Sequence, residues 1–426
     1  MDLSHLSLRF LFLDLNSYFA SVEQQLNPEL RGKPVAVVPL ETDATCAIAA
    51  SYEAKAYGVK TGTKIYDAKR LCPDLICIKA DHEHYVRFHH KILAEIDRHV
   101  PVTQIASIDE MACELDETQR NKEAAVDLAL RLKAGLAKNV GEYVKCSIGL
   151  APNRFLAKVG TELQKPDGLV VIEAHQIPDI LFSLELRDIP GIGKSMHHRL
   201  NKLGVFTIEQ LCDIPPKHMR AIWHSVAGER MYYKLRGLEI ADEATQKRSI
   251  GHSHVHGPEN RPEHYARLVN HRLMLKAASR LRRDGYYATA MDISLRVEQG
   301  ERYHSEVRFV PTQDTLSLTP LWNEQWNMMM HGIKAELRCN HLRIKKTSIT
   351  FHGLETEPDT QPDLFNGTAQ LHKREKNEKL SLAMDALNQR FGRNTITTAA
   401  TLGEANKVTG TKIAFGRIPD AAEFRE

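Results

Sequence analysis

Apolar positions recur along this chain in two rhythms, one of continuous short runs and one of helical spacing. Ser7 to Leu15 is almost wholly apolar and predicts a strand, with Asp14 as its one carboxylate, and Ser17 to Leu26 predicts a helix. Pro28 and the turn Arg31-Gly32-Lys33-Pro34 lead into Val35 to Pro39, a short buried strand. Ala47 to Tyr57 predicts a small-residue helix ended by Gly58, and Asp81 to His99 a long amphipathic one. After Pro101 the pattern gives a strand through Ser107-Ile108-Asp109-Glu110, a helix from Lys122 to Asn139, and a strand from Tyr143 to Leu150. Two strand-then-helix units with carboxylates at their strand ends predict a mixed sheet with helices on one face.

Beyond them the rhythm changes. Ile189 to Leu235 is helical and broken by Gly and Pro, and the polar, acidic stretch Glu239 to Gln246 reads as a linker. Ser249 to Val255, Ala288 to Val297, Tyr303 to Phe309 and Ser348 to Leu354 alternate as strands do, around helical stretches at Glu263 to Asp284 and Pro320 to Cys339. That predicts a second α+β module. From Glu355 the chain turns polar, then carries one more amphipathic helix, Leu371 to Phe391.

Composition narrows the class. A chain of 426 residues exceeds one core and suggests roughly two to four domains. No run of about 18 uncharged apolar residues is present, so no membrane span is expected. The N-terminus lacks a signal-peptide pattern, and seven scattered cysteines without a C-x-x-C read as reduced thiols, so the expected location is cytoplasmic. The net charge of +3 is uneven: Lys247 to Lys346 holds 17 Lys+Arg against 10 Asp+Glu, a net of +7, which leaves 3 − 7 = −4 elsewhere. A one-sided basic module is the footprint of a polyanion partner or of a solvated surface.

Asp14 ends an apolar run, where a lone charge costs several kcal/mol unless it is paired. It caps the helix that follows, or it binds a cation. Asp109 and Glu110 form a second acidic strand end with no Lys or Arg partner close in sequence. If the two strands are neighbours, the three carboxylates converge; with two Mg²⁺ ions they make a site for in-line phosphoryl transfer.

Five motifs then carry a resemblance: Phe12-Leu-Asp-Leu-Asn-Ser-Tyr-Phe-Ala-Ser-Val-Glu23, Ser51-Tyr-Glu-Ala-Lys-Ala-Tyr-Gly-Val59, Ser107-Ile-Asp-Glu110, Gly149-Leu-Ala-Pro-Asn-Arg-Phe-Leu-Ala-Lys158 and Lys165-Pro-Asp-Gly168. In this order and spacing the chain resembles the Y-family DNA polymerases, the lesion-bypass enzymes, over nearly its whole length. The resemblance implies an α+β multidomain, right-hand fold: palm at 1–26 and 81–165, small fingers at 27–80, helical thumb at 166–240, linker at 241–248, little finger at 249–356, and a clamp-binding peptide with C-terminal extension at 357–426. It implies that Asp14, Asp109 and Glu110, with the backbone carbonyl of Leu15, hold two Mg²⁺ ions. It places Phe19 as the gate against a ribose 2′-OH, and Tyr18, Tyr52, Lys55 and Lys165 around the incoming deoxynucleoside triphosphate. Two positions depart from the pattern: Lys55 stands where many members have Arg, and Ala49 where a hydroxyl residue is common.

Ile189-Pro-Gly-Ile-Gly-Lys-Ser195 through Gly204 fits a helix–hairpin–helix, in which Gly191, Gly193 and Lys194 approach DNA phosphate and Leu200 faces inward. The basic segment resembles the family's little finger, with Arg282, Arg283 and Lys345 among its expected DNA contacts. His252-Ser-His-Val-His256 reads as an exposed polar strand face rather than a metal site. Gln361-Pro-Asp-Leu-Phe365 resembles a sliding-clamp peptide, anchored by Gln361, Leu364 and Phe365. The final helix resembles the extension of the DNA polymerase V catalytic subunit group more than the DNA polymerase IV group, and accessory proteins are possible further partners. Together these imply a template-directed translesion polymerase acting on primer–template DNA. The alternatives are a non-catalytic clamp-binding accessory protein, which would not need all three carboxylates, and a nucleotidyl cyclase, which would need no helix–hairpin–helix or basic module.

Overall fold

The structure is a computed structural model and describes residues 6–241, 246–298, 302–356, 367–392, 395, 396 and 418. The described residues divide into two compact units, one within 1–242 and the other within 243–411.

The first unit begins with β1 (Phe10–Leu15), α1 (Tyr18–Leu26), β2 (Val35–Val38), β3 (Ala49–Ala50), α2 (Tyr52–Ala56), α3 (Ile65–Leu71), β4 (Ile76–Lys79) and α4 (His82–Asp97). It continues through β5 (Val102–Ile105), β6 (Glu110–Glu114), α5 (Lys122–Asn139), β7 (Cys146–Ala151), α6 (Arg154–Leu163) and β8 (Leu169–Val171). Four short helices close it: α7 (Lys194–Lys202), α8 (Ile208–Asp213), α9 (Pro216–Trp223) and α10 (Val226–Lys234).

Five strands form the main sheet in the order β5-β6-β1-β7-β8, antiparallel except for the β7–β8 pair. All six residues of β1 are buried because the sheet is covered on both faces. Leu11, Leu13 and Leu15 pack with α1, α4 and α5, whereas Phe10 and Phe12 pack with α6 and with α7 to α10. The expectation of helices on one face is therefore wrong. What puts α6 on the other face is close contact: a Cβ at Gly149 would lie 2.0 Å from the Ala157 carbonyl oxygen. Sheet residues also run past 165, since Leu169 to Val171 pair with β7.

Two further expectations change here. The predicted helix at 47–57 is a strand followed by a helix: Ala49 and Ala50 pair with Val37 and Ala36, and Ser51 Oγ accepts the Ala54 N–H at 3.3 Å to start α2. Small residues satisfy either state, and sheet pairing in the three-stranded β3-β2-β4 layer decides it. The predicted strand through 107–110 stops at Ile105. The N–H groups of Ala106 and Ser107 both donate to the Glu110 carbonyl, so Asp109 sits in the turn of a hairpin rather than on a strand.

In the second unit β9 (Ser249–Val255), α11 (Glu263–Arg283), β10 (Tyr287–Val297), β11 (Arg302–Thr312), α12 (Thr315–Leu337), β12 (Ile344–Glu355) and α13 (Gly367–Phe391) follow in order. The sheet order is β11-β10-β12-β9, with α11 and α12 on one face. α12 begins before Pro320 because Asp314 Oδ1 accepts the Ser317 N–H at 2.7 Å and caps it. α13 lies against this unit by its polar side: Thr315 N–H donates to Ser381 Oγ at 3.2 Å, and Arg282 pairs with Asp385. Its Leu380, Leu382, Leu387 and Phe391 are exposed.

The histidines of β9 are not an exposed face. Ile250 belongs to the core under the helices, and His252, His254 and His256 share its side of the strand. His256 is 1% exposed, and burial pushes its ring down to about 3; His271 on α11, stacked on Trp322 at 4.5 Å, is pushed to about 4. Both bases are thus neutral when folded, while the unfolded chain takes up protons below about 6.5. Their contribution is present in full above that pH and is lost as pH falls toward 4, by a few kcal/mol. Denaturant melts followed by the fluorescence of Trp322 and Trp326 should show the midpoint of this unit dropping between pH 7 and pH 4.5. A pH-independent midpoint would mean that the rings are not buried as neutral bases.

Candidate active site and nucleic-acid interface

Antiparallel pairing places Asp14 on β1 directly across from Glu110 on β6, so their side chains share a face. The Leu15 N–H donates to the Asp109 carbonyl at 2.9 Å, which brings the hairpin turn to the same strand end. The three expected carboxylates are therefore neighbours along the backbone, each with its own partner. Lys165 Nζ is 3.1 Å from Asp14 Oδ2, Lys158 Nζ is 2.7 Å from Glu110 Oε2, and Ser107 Oγ donates to Asp109 Oδ1 at 2.5 Å. Among the described residues no group of three such side chains is already gathered as a metal cage.

Asp14 is 7% exposed, and burial pushes its carboxyl up to about 6. Lys165 pulls it back down, while Glu162 and Glu110 push it further up. A buried carboxylate with too little positive charge around it, beside two more hard oxygen donors, fits a divalent cation. The lysines that answer these carboxylates, Lys158 for Glu110 and Lys165 for Asp14, lie on α6 and just beyond it. Sequence distance hid the pairing of Lys158 with Glu110, which spans 48 residues.

The nucleotide-site residues sort into two groups. Tyr52, Lys55 and Lys165 come together with Asp14. Lys55 Nζ stands 4.4 Å over the Tyr52 ring, and burial followed by repulsion from Lys165 lowers its pKa against the pull of Asp14. Tyr18 and Phe19 face inward. Tyr18 is buried and its hydroxyl donates to the Tyr85 carbonyl at 2.6 Å, so that side chain is committed to packing. Phe19 stacks on the Tyr85 ring at 4.3 Å and 15°. Tyr85 is itself held by its hydroxyl, which donates to Glu23 Oε1 at 2.7 Å. Nothing local in the sequence marks Tyr85 as the support for Tyr18 and Phe19, because these and Glu23 lie more than sixty residues away.

Comparison with known proteins bears on what this arrangement is. A model of the impB/mucB/samB family matches residues 13–162, its C-terminal domain matches 247–364, and a DNA polymerase-iota thumb-domain model matches 187–239. A DNA polymerase IV of Moorella thermoacetica is 30% identical over 415 residues, which are 95% of this chain and 98% of that protein. The chain belongs to the Y family of DNA polymerases. DNA polymerase IV 1 of Bacillus subtilis is 28% identical over 94% of each chain. A Y-family DNA polymerase chimera matches the fold with a TM-score of 0.65 and 22% identity, over 82% of this chain and 100% of its own. An insertion ternary complex of Dbh DNA polymerase matches with a TM-score of 0.51 and 23% identity, over 82% of this chain and 100% of its own. The fold is thus the Y-family one, with palm, thumb and little finger. The finer resemblance to the DNA polymerase V catalytic subunit group draws no support from these relatives, which are named DNA polymerase IV.

In the Y-family thumb, Gly191 has φ +93°, a left-handed conformation that favours glycine, and Gly193 precedes α7, whose first residue is Lys194. Leu200 is fully buried, as the helix–hairpin–helix pattern requires.

The little finger corrects one expected DNA contact. The side chain of Arg282 is 3% exposed, bound to both oxygens of Asp385 at 2.6 and 3.0 Å and to the Gln313 carbonyl at 2.7 Å, so it is not available to phosphate. Lys345 donates to the Glu298 backbone carbonyl at 2.6 Å. Arg283 stays half-exposed beside Asp284 at 3.3 Å. The sequence reading missed a row on the sheet face opposite the helices: Arg296 is paired across the sheet with Arg302 on one side and Lys346 on the other, all three exposed. The signal was present in strand parity, since Ile293, Leu295 and Val297 are buried and Arg296 must point the other way. Gln361, Leu364 and Phe365 lie outside the described residues.

Among the described residues no helix is long and apolar enough to cross a membrane.

Proposed function

We propose that the acidic end of β1 adds deoxynucleotides to a primer 3′ end under the direction of a template, and does so past damaged bases. The chain is a DNA-directed DNA polymerase of the translesion kind. The observation that carries the site assignment is the buried Asp14 carboxylate, set across from Glu110 and answered by Lys165. When bound, two Mg²⁺ ions held by Asp14, Asp109, Glu110 and the Leu15 carbonyl would polarise the primer hydroxyl and neutralise the phosphates. Around them Lys55 and Lys165 bind the triphosphate, and Tyr52 supports Lys55. Phe19, backed by the Tyr85 ring, closes the space beside the sugar. Tyr18 serves by packing behind Phe19.

Primer–template DNA, damaged or intact, lies against the thumb turn at Gly191, Gly193 and Lys194 and against the little-finger row Arg296, Arg302 and Lys346. These contacts hold phosphate without reading bases. The peptide at Gln361, Leu364 and Phe365 binds a sliding clamp, further accessory proteins joining there or elsewhere, and the protein works in the bacterial cytoplasm at the nucleoid.

The deciding experiment is primer extension with Mg²⁺ on undamaged and abasic templates, wild type against Asp109→Ala. Extension on both templates by the wild type, and on neither by the variant, is the expected result. Equal extension by the two proteins would remove the carboxylates from the chemistry. Extension by neither, with DNA binding intact, would favour the accessory reading.

A further inference from the structure

Just past the end of β1 lies a buried polar residue that the proposed chemistry does not use. Asn16 is 2% exposed, and both ends of its amide are engaged. Its Nδ2 donates to Ser147 Oγ at 3.1 Å, and its Oδ1 accepts the Asp167 N–H at 2.7 Å. Ser147, fully buried, is the residue of β7 paired with Asp14. Its hydroxyl donates to the Gln164 carbonyl at 3.0 Å and accepts the Gly168 N–H at 3.2 Å, which fills its capacity of one donor and two acceptors.

The loop 164–168 is thus tied at its start, its end and one point between to two side chains. From the outside, Lys133 Nζ donates to the Asp167 carbonyl at 2.6 Å and the Gly168 carbonyl at 3.1 Å. Asp167 is in the left-handed region at φ +57°, and a Cβ on Gly168 would meet the Gln164 carbonyl at 1.9 Å. Together these bonds constrain the loop from both sides. Inside it sits Lys165, whose ammonium group reaches Asp14 at 3.1 Å and Glu162 at 2.7 Å.

We infer that Asn16 is a positioning residue: through Ser147 and the 164–168 loop it presents the Lys165 ammonium group to Asp14 and to the triphosphate of the incoming nucleotide. The inference rests on the reading of Lys165 as a triphosphate contact. Asparagine suits the place because it supplies one donor and one acceptor. A carboxylate there would turn a second acceptor toward a serine oxygen whose hydrogen is already given to Gln164.

The test uses the full-length protein on a primer–template whose primer ends in a dideoxynucleotide, with the complementary deoxynucleoside triphosphate as probe. Affinities for the nucleotide and for the primer–template are measured separately. Lys165→Ala should weaken nucleotide binding by about tenfold or more, and Asn16→Ala by a similar factor, consistent with losing a charge-assisted contact. The double variant should bind nucleotide no more than about twofold more weakly than Lys165→Ala, because both changes remove one interaction. Primer–template affinity should stay within about twofold throughout, which a general loss of structure would not allow. Losses that multiply in the double variant, or an Asn16→Ala variant that binds nucleotide normally, would overturn the inference and leave the reading of Lys165 standing. A Lys165→Ala variant with unchanged nucleotide affinity would sink that reading itself. Ser147→Ala cuts the same link and carries the identical comparison if Asn16→Ala does not fold.

Discussion

Asp14→Asn should give a protein that is more stable and inactive. Burial holds the Asp14 carboxyl up at about 6 against an ordinary 3.8. A carboxyl raised in this way contributes stability that is complete below about 3.8 and lost as pH rises through about 6. At pH 7 the charged form therefore costs the folded protein up to about 3 kcal/mol. An amide of the same shape removes that cost, and Lys165 keeps Glu162 at 2.7 Å as its partner. The thermal midpoint should rise by several degrees at pH 7 and by much less at pH 4. Nucleotide incorporation should fall by about three orders of magnitude or more, since a neutral amide is a poor ligand for a hard cation. In the wild type, the Mg²⁺ concentration needed for half-maximal incorporation should rise as pH drops through about 6, where the metal-free Asp14 takes up its proton. A variant that melts lower than wild type at pH 7 would show that the buried charge is not the burden described here.

Arg282→Ala should undo much of the second unit while leaving the salt dependence of DNA binding intact. Removing one member of a buried ion pair costs about 3–5 kcal/mol, because the other charge is stranded. Asp385 is 29% exposed at its side chain and would regain some water, which puts the expected loss near the lower end. The guanidinium also holds the Gln313 carbonyl at 2.7 Å and Thr315 Oγ1 at 3.0 Å, at the start of α12. Urea melts read through Trp322 and Trp326 should show the shift, and Asp385→Ala should add little to Arg282→Ala. In the folded range the slope of log K against log salt should match the wild type, whereas a lost phosphate contact would reduce it by about one. A reduced slope with unchanged stability would return Arg282 to the DNA surface.

What the sequence revealed and what it concealed divide by range of interaction. α5 runs from Lys122 to Asn139 as the apolar spacing predicts, since helical spacing is set within a few residues. The three carboxylates stood out because they fall where apolar and polar sequence meet, a local anomaly that asks for a counter-charge. The 47–57 segment was misread because alanine fits a helix or a tight sheet layer, and only pairing with β2 decides. Arg282 was misread for a related reason. A cluster of arginines at a helix end looks solvated until Asp385, 103 residues later, is known to meet it. The β9 histidines were given the wrong face because their strand was read without Ile250, the buried neighbour that fixes its orientation. Asn16, Ser147 and Tyr85 left no mark, since a buried hydrogen bond or ring stack has no sequence period.

The row Arg296, Arg302 and Lys346 has a thermodynamic side of its own. Three like charges on adjacent strands, with Arg296 directly opposite both others, repel one another in the unliganded sheet. The little finger therefore carries a standing electrostatic load that any bound polyanion lifts, so that ligand binding and folding draw on the same repulsion. Simple salt splits the two. By screening the row it relaxes the empty sheet, and by the same screening it loosens the grip on nucleic acid. Ionic strength thus moves the free protein and its complex in opposite directions, through three side chains that the chain sets on one side of one sheet.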